Sequence, residues 1–317
     1  GGDQRGPLDA ERAGHTGTIT SNVEGAELQL GEAMTPITLN YTSQASGATF
    51  YNGNGSSWML KDIWSGSGSA INDMSATIFT ISYDDNLYFK AHDGIHGNEL
   101  WKSDGTEAGT VMVKDIRPGT SGSALGDTSF FFETIGNTIF FDADDGTHGV
   151  ELWKSDGTEA GTVMVKDIKT GGPSVHSYPD HLIAVGDKLF FEAAPTGSVG
   201  QDNELWVSDG TESGTIMLTN SSNQYSYCCS DLTAIGDNLF FSYKYSSDTG
   251  VEMWRSDGTE AGTVMADEIC SGYCGGGNGF ITLVGNTVYL VGYDGSGTGS
   301  EWWVHDPTNI TLDAPPP

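Results

Sequence analysis

Between residues 74 and 306 the chain is built from short apolar runs separated by Gly, Asn, Asp, Ser and Thr, and no run carries helical spacing. A first run ends in a tight polar turn, as in "ETIGNT", "IAVGDK", "TAIGDN" and "TLVGNT". The Gly-Asn and Gly-Asp pairs supply the positive φ that a two-residue hairpin requires. A second run carries an aromatic couple: Tyr88–Phe89, Phe140–Phe141, Phe190–Phe191 and Phe240–Phe241, then Tyr289–Leu290. A third run opens with "ELW" or a relative of it. The fourth is "TVMVKDI" or a variant, rich in β-branched residues. Each set of four predicts an antiparallel sheet of four strands.

The sets repeat. "ELWKSDGTEAGTVMVKDI" occupies residues 99–116 and recurs unchanged at 151–168, with weaker copies from Glu204, Glu252 and Glu301. The initial glutamates are spaced by 52, 53, 48 and 49 residues. A period near fifty with four strands matches one blade of a β-propeller. A twisted four-stranded sheet cannot cover its own two faces, so it buries them against neighbours written in the same pattern. Trp101, Trp153, Trp206, Trp254 and Trp302 are expected to fill the space between sheets. The Ser-Asp-Gly-Thr that follows is expected to turn the chain, with Asp bonding local backbone and Gly accepting φ > 0.

The predicted fold is therefore all-β, a propeller of four-stranded blades at 26–313, with repeats near 26–73, 74–126, 127–178, 179–228, 229–277 and 278–313. Six blades are favoured over five. The segment "SSWMLKDIWSGSGS" (56–69) matches "GTVMVKDIRPGTSGS", and "AELQL", "PITLNYT" and "ATFYNG" supply three strand-like runs before it. In the five-blade alternative, residues 57–63 close the last blade. Residues 1–25 belong to no repeat and are read as an arm adding a strand to a neighbouring subunit. Residues 314–317 form a tail.

The "ELWKSDGTEAGT" pattern resembles the ELWxxDGT repeat family of secreted and cell-surface proteins of prokaryotes. The resemblance covers residues 74–306, and the last copy, "EWWVHDPTN", lacks the DGT element. It implies a propeller-like extracellular module without a defined catalytic activity. "GEAMTPITLNYT" (31–42) also resembles the first strand of a prokaryotic immunoglobulin-like surface repeat.

Charge narrows the partners. The chain has 317 residues, with 43 acidic against 13 basic and a net charge of −30. Such a surface repels phosphate backbones and anionic lipid headgroups, which excludes nucleic acid and direct membrane insertion as expectations. Cys228, Cys229, Cys270 and Cys274 lie in one region and are read as disulfides. Asn40, Asn54, Asn220 and Asn309 head N-x-S/T sequons. Both point to an extracellular or cell-surface location.

Chemistry-bearing clusters are few. Asp142, Asp144 and Asp145 put three carboxylates within four residues beside a glycine, a candidate Ca²⁺ loop, although the twelve-residue EF-hand pattern is absent. Calcium is thus the one cofactor considered, and none is required. His92, His96 and His148 recur in "HDGIHG" and "DADDGTHG", and His176 and His181 lie in "VHSYPDH". The loops between strands two and three, and the linkers after strand four, are expected on one face, the acidic DGTE loops on the other. No G-x-S-x-G, HExxH or phosphate-binding loop occurs. With only Arg5, Arg12, Arg117 and Arg255 present, the arginine cluster of a sialidase cannot form. The expected function is a non-enzymatic structural or adhesive surface protein, a filament or coat subunit whose partners are other copies of itself. A glycan-binding propeller is the alternative, and a secreted glycan hydrolase stands third.

Overall fold

The computed structural model describes residues 29–30, 51–52, 59–65, 69–71, 80–123, 132–196, 203–220, 228–244, 251–267, 280–284, 287–292 and 299–305. Two compact units divide the chain, Gly1–Met59 and Leu60–Pro317. In the first, Gln29–Leu30 pairs in parallel with Tyr51–Asn52. The expected arm at 1–25 and most of the expected repeat at 26–73 lie outside the described residues.

Every regular element among the described residues is a strand. Among its described residues the second unit holds five antiparallel sheets in chain order. Sheet one comprises Thr80–Tyr83, Asn86–His92, Asn98–Ser103 and Val111–Lys114. Sheet two comprises Glu133–Ile135, Thr138–Asp144, Val150–Ser155 and Val163–Lys166. Asp180–Val185, Lys188–Ala193, Glu204–Ser208 and Ile216–Met217 make sheet three. Sheet four is Cys228–Ile235, Asn238–Tyr243, Glu252–Ser256 and Val264–Asp267. Sheet five has three strands, Ile281–Val284, Thr287–Gly292 and Glu301–His305. Each is a meander, the blade unit of a β-propeller. Ile135 pairs with Thr138 and Val185 with Lys188 across two-residue turns, where Gly136 and Gly186 take positive φ.

One rule governs how the sheets meet. Strand alternation sends the first aromatic of each couple and the ELW leucine to one face, and the second aromatic and the tryptophan to the other. Tyr88 and Leu100 of sheet one pack against Ile139, Phe141 and Trp153 of sheet two. Phe140 and Leu152 then meet Leu189, Phe191 and Trp206. Phe190 and Leu205 meet Leu239, Phe241 and Trp254. Phe240 and Met253 meet Val288, Leu290 and Trp303. Leu100, Leu152 and Leu205 are wholly buried by this stacking. Each such side chain contributes on the order of 2 kcal/mol, so every seam is worth several.

The last sheet corrects one expectation. Trp302 is 62% exposed and lies in no seam between the described sheets. In register Leu290 pairs with Trp303 and Val291 with Trp302, whereas Phe89, Phe141, Phe191 and Phe241 each pair with the ELW tryptophan. Trp303 therefore holds the tryptophan position, and its indole nitrogen donates to Gly292 O at 3.2 Å. Trp302 holds the place of the leucine.

Candidate functional site

Within the repeated motif, the polar groups of the Ser-Asp-Gly-Thr loop account for one another. In the first copy Asp104 Oδ1 accepts from the Thr106 N–H at 2.9 Å and its hydroxyl at 2.7 Å. Thr106 Oγ1 in turn accepts from Gly109 N at 2.9 Å. The Thr110 hydroxyl donates to Thr106 O at 2.6 Å and lies 2.7 Å from Ser103 Oγ, which accepts from Gly105 N. The same set recurs around Asp156, Asp209 and Asp257. These hydrogen bonds, led by the threonine hydroxyl, hold Asp104, Asp156, Asp209 and Asp257 below the usual aspartate range. The closing glycine of each loop is obligatory: a Cβ at Gly109 would sit 2.0 Å from the Asp104 carboxylate. The loop is a self-capped turn, as read from sequence.

Lysines join each loop to the sheet before it. Lys102 Nζ donates to Gly157 O at 2.8 Å and Lys114 Nζ to Thr162 O at 2.7 Å. One repeat on, Lys154 reaches Gly210 O at 2.8 Å and Lys166 reaches Thr215 O at 2.9 Å. Lys61 reaches Thr110 O at 2.7 Å, in the place Lys114 holds a repeat later. Thr219 and Asp267 replace the second lysine in later repeats. There Lys188 donates to Asp257 O at 2.6 Å, and Asp267 faces His305 Nδ1 at 3.2 Å. Six of the chain's thirteen basic residues thus cap loop carbonyls of the next sheet. In a sequence these lysines read as solvated strand residues, and nothing but their recurrence marked them.

The ELW glutamate ties the other end. Glu99 is buried and accepts from Ile116 N at 3.0 Å and Arg117 N at 3.4 Å, at the start of the linker. Glu151 accepts from Ile168 N at 2.9 Å and the Ser177 hydroxyl at 2.6 Å. Burial raises both carboxyls to about 7, against the lowering effect of these donors. Glu204 accepts from the Thr219 hydroxyl at 2.6 Å and from Tyr243 OH of sheet four at 3.2 Å. Backbone stitches run alongside: Ser123 N donates to Asn98 O, and Asp144 N to Ser123 O. Ala70 O accepts from His92 N, and Ser177 O from Ala194 N.

The loop face expected to bind something carries two near-identical turns. Asp93 Oδ1 accepts from Ile95 N and His96 N, while its Oδ2 lies 2.6 Å from His96 Nδ1. Asp145 does the same with Thr147 N, His148 N and, at 2.7 Å, His148 Nδ1. Burial pushes Asp93 up, but the His96 and Ile95 hydrogen bonds outweigh it and bring the carboxyl to about 2. The aspartate hydrogen bonds raise His96 and His148 above the usual imidazole value. Trp64 stacks on His92 with ring centroids 4.5 Å apart, and a Cβ at Gly94 would meet that indole at 2.6 Å.

The candidate calcium loop is not brought together. Asp144 receives Arg117 Nη1 at 2.5 Å and Gly146 N at 2.6 Å, and Asp145 is committed to His148. Asp142 is buried within its strand. Among the described residues no three His, Cys, Asp or Glu side chains are grouped to hold a metal ion. His176 Nδ1 accepts from Val150 N at 2.9 Å, and His181 Nδ1 lies 3.2 Å from Glu192 Oε1. Cys229 is buried and disulfide-bonded. The side chain of Cys228, and Cys270 and Cys274, lie outside the described residues, as do the sequons at Asn40, Asn54 and Asn309. Asn220 is exposed.

No family model matches the chain, and no curated protein is similar to it. Solved structures are similar at low identity. A prolyl endopeptidase structure is 13% identical at a TM-score of 0.42, covering 72% of this chain and 34% of its own. Prolyl oligopeptidase B from Galerina marginata is 10% identical at 0.41, covering 66% and 32%. An α-L-arabinofuranosidase from Clostridium thermocellum is 14% identical at 0.28, covering 67% and 80%. The chain thus spans about a third of the length of the two peptidases. None of these likenesses assigns it an activity or a substrate.

Proposed function

We propose that the chain is a structural protein of the cell surface or extracellular space, a stiff repeat-built body that works by self-assembly and adhesion rather than by catalysis. The observation that carries this reading is the closure of the repeated motif on itself. Its glutamate, lysines, serine, aspartate and threonines hold loops and neighbouring sheets together, so repetition multiplies joints and leaves no reacting group in common. The resemblance to the ELWxxDGT repeats of secreted proteins supports the location, and the net charge of −30 suits a body that must not clump at random.

Electron microscopy of the purified chain over a range of concentrations tests the reading. Ordered filaments or sheets are expected. Isolated particles at every concentration would overturn it. A glycan-binding role is the second reading, favoured by the Trp64–His92 stack on the loop face. Binding to a glycan array that free sugar competes away would establish it.

A further inference from the structure

Among the described residues, the leucine faces of sheets one to four are each sealed by the tryptophan face of the next sheet, and none covers the corresponding face of sheet five. There Trp302 stands where Leu100, Leu152 and Leu205 are fully buried, and it is exposed. Val304 and Val284 are 61% and 62% exposed, and Phe280 packs edge-on to Trp302 at 6.1 Å. Val291 lies opposite Trp302, and Tyr289 opposite Val304, on the same face. Two threonines complete it, Thr282 and Thr287. None of these side chains is ionisable at neutral pH, in a chain of net charge −30. A contiguous uncharged apolar face of this kind marks an interaction surface.

We propose that this face of sheet five pairs with the same face of a second copy of the chain about a two-fold axis. Electrostatics favours a second copy. Two bodies of charge −30 repel wherever their acidic surfaces meet, and the described residues of this face carry no acid. A basic partner would gain most from the acidic surface elsewhere and nothing from this patch. Two-fold pairing needs one self-complementary surface, and sets Trp302 and Phe280 of each copy in the centre of the contact. The proposal rests on the self-assembly reading above and names the surface it uses.

Sedimentation of the full chain across concentrations, with acrylamide quenching of tryptophan, tests it. The unaltered chain is expected to dimerise, or to assemble further, with association strengthened by added salt. Trp302→Asp is expected to weaken association by about 30-fold or more, the size of a central anchor. Trp302→Phe should retain most of it, and Ile95→Asp, at another exposed apolar site, all of it. Retention of the unaltered chain's cooperative thermal unfolding will show that Trp302→Asp still folds. Undiminished assembly of Trp302→Asp overturns this surface while leaving self-assembly standing. A chain that stays monomeric at all concentrations overturns both. A quencher-shielded Trp302 in particles of monomer mass also overturns the pairing, because the chain then covers the face itself.

Discussion

The Lys102 ammonium group donates to the Gly157 carbonyl at 2.8 Å, across 55 residues of sequence and one seam between sheets. The carbonyl belongs to the same kind of loop that Lys102 itself precedes. Each repeat thus holds its successor. The bond is charge-assisted, and its removal leaves a half-buried carbonyl without a donor. Lys102→Met and Lys154→Met are each expected to lower stability by about 1–2 kcal/mol, read as a shift of the urea midpoint at constant slope. An unchanged midpoint for both would remove the lysines from the list of joints.

Gly157 carries a second constraint. It takes φ +83°, and a Cβ there would lie 2.2 Å from Tyr88 Oη of the preceding sheet. Gly186, at a hairpin turn, takes φ +63° with nothing within 4 Å. Gly186→Ala is expected to cost about 1 kcal/mol from backbone strain alone. Gly157→Ala should cost about 3 kcal/mol, because a collision is added to the strain. Combining it with Tyr88→Phe should recover part of that difference, since the colliding atom is the hydroxyl oxygen. Thermal melts of the three variants check the order.

The loop aspartates separate a structural role from a chemical one. Asp209 Oδ1 accepts both donors of Thr211, at 2.8 and 2.7 Å. An asparagine carbonyl can accept both as well. Asp209→Asn is therefore expected to remain within about 0.5 kcal/mol of the unaltered chain, whereas Asp209→Ala loses about 1–2 kcal/mol. Equal losses in denaturant titrations would show that charge, and not hydrogen bonding, is what the loop needs.

Stability should be greater on the acid side of neutrality. Glu99 and Glu151 move from an ordinary 4.5 to about 7 in the folded chain, so folding favours their protonated forms. Below pH 4.5 neither state carries the charge and no penalty arises. As pH rises through 7 the penalty grows to its full size, on the order of 3 kcal/mol per site. His96 and His148 are raised by Asp93 and Asp145, and their contribution is likewise lost as pH rises through the folded value. Asp93, lowered from 3.8 to about 2, works oppositely, contributing above 3.8 and losing its effect as pH falls toward 2. Melting temperature is expected to peak between about pH 4 and 6 and decline toward 8. Glu99→Gln with Glu151→Gln should flatten that decline; a decline of full steepness in the double variant would assign it to other groups.

Much of the fold was legible because its signals are local. Aromatic couples and Gly-Asn or Gly-Asp turns fix strand faces and hairpins within a few residues, and the recurring glutamate sets the period. The self-capped loop was legible for the same reason: Asp104, Thr106 and Gly109 act on one another. The joints between sheets were not. Lys102 and Gly157 are far apart in sequence, and a lysine in a strand looks like a solvated one. Glu99 looks equally exposed until the linker amides that surround it are seen. The fifth repeat has two adjacent tryptophans, and the Glu-to-Trp spacing of Glu99 and Trp101 leads from Glu301 to Trp303, which leaves Trp302 in the leucine position. The adjacent carboxylates of the candidate calcium loop have partners that the sequence does not reveal, Arg117 for Asp144 and His148 for Asp145.

An experimental density map of the chain at side-chain resolution tests the joinery most directly. It should place the indoles of Trp153 and Trp206 between layers of strands, with the Lys102 and Lys154 ammonium groups on the carbonyls of Gly157 and Gly210. Indoles bordering a solvent-filled cavity, with those two lysines pointing into water, would contradict the account.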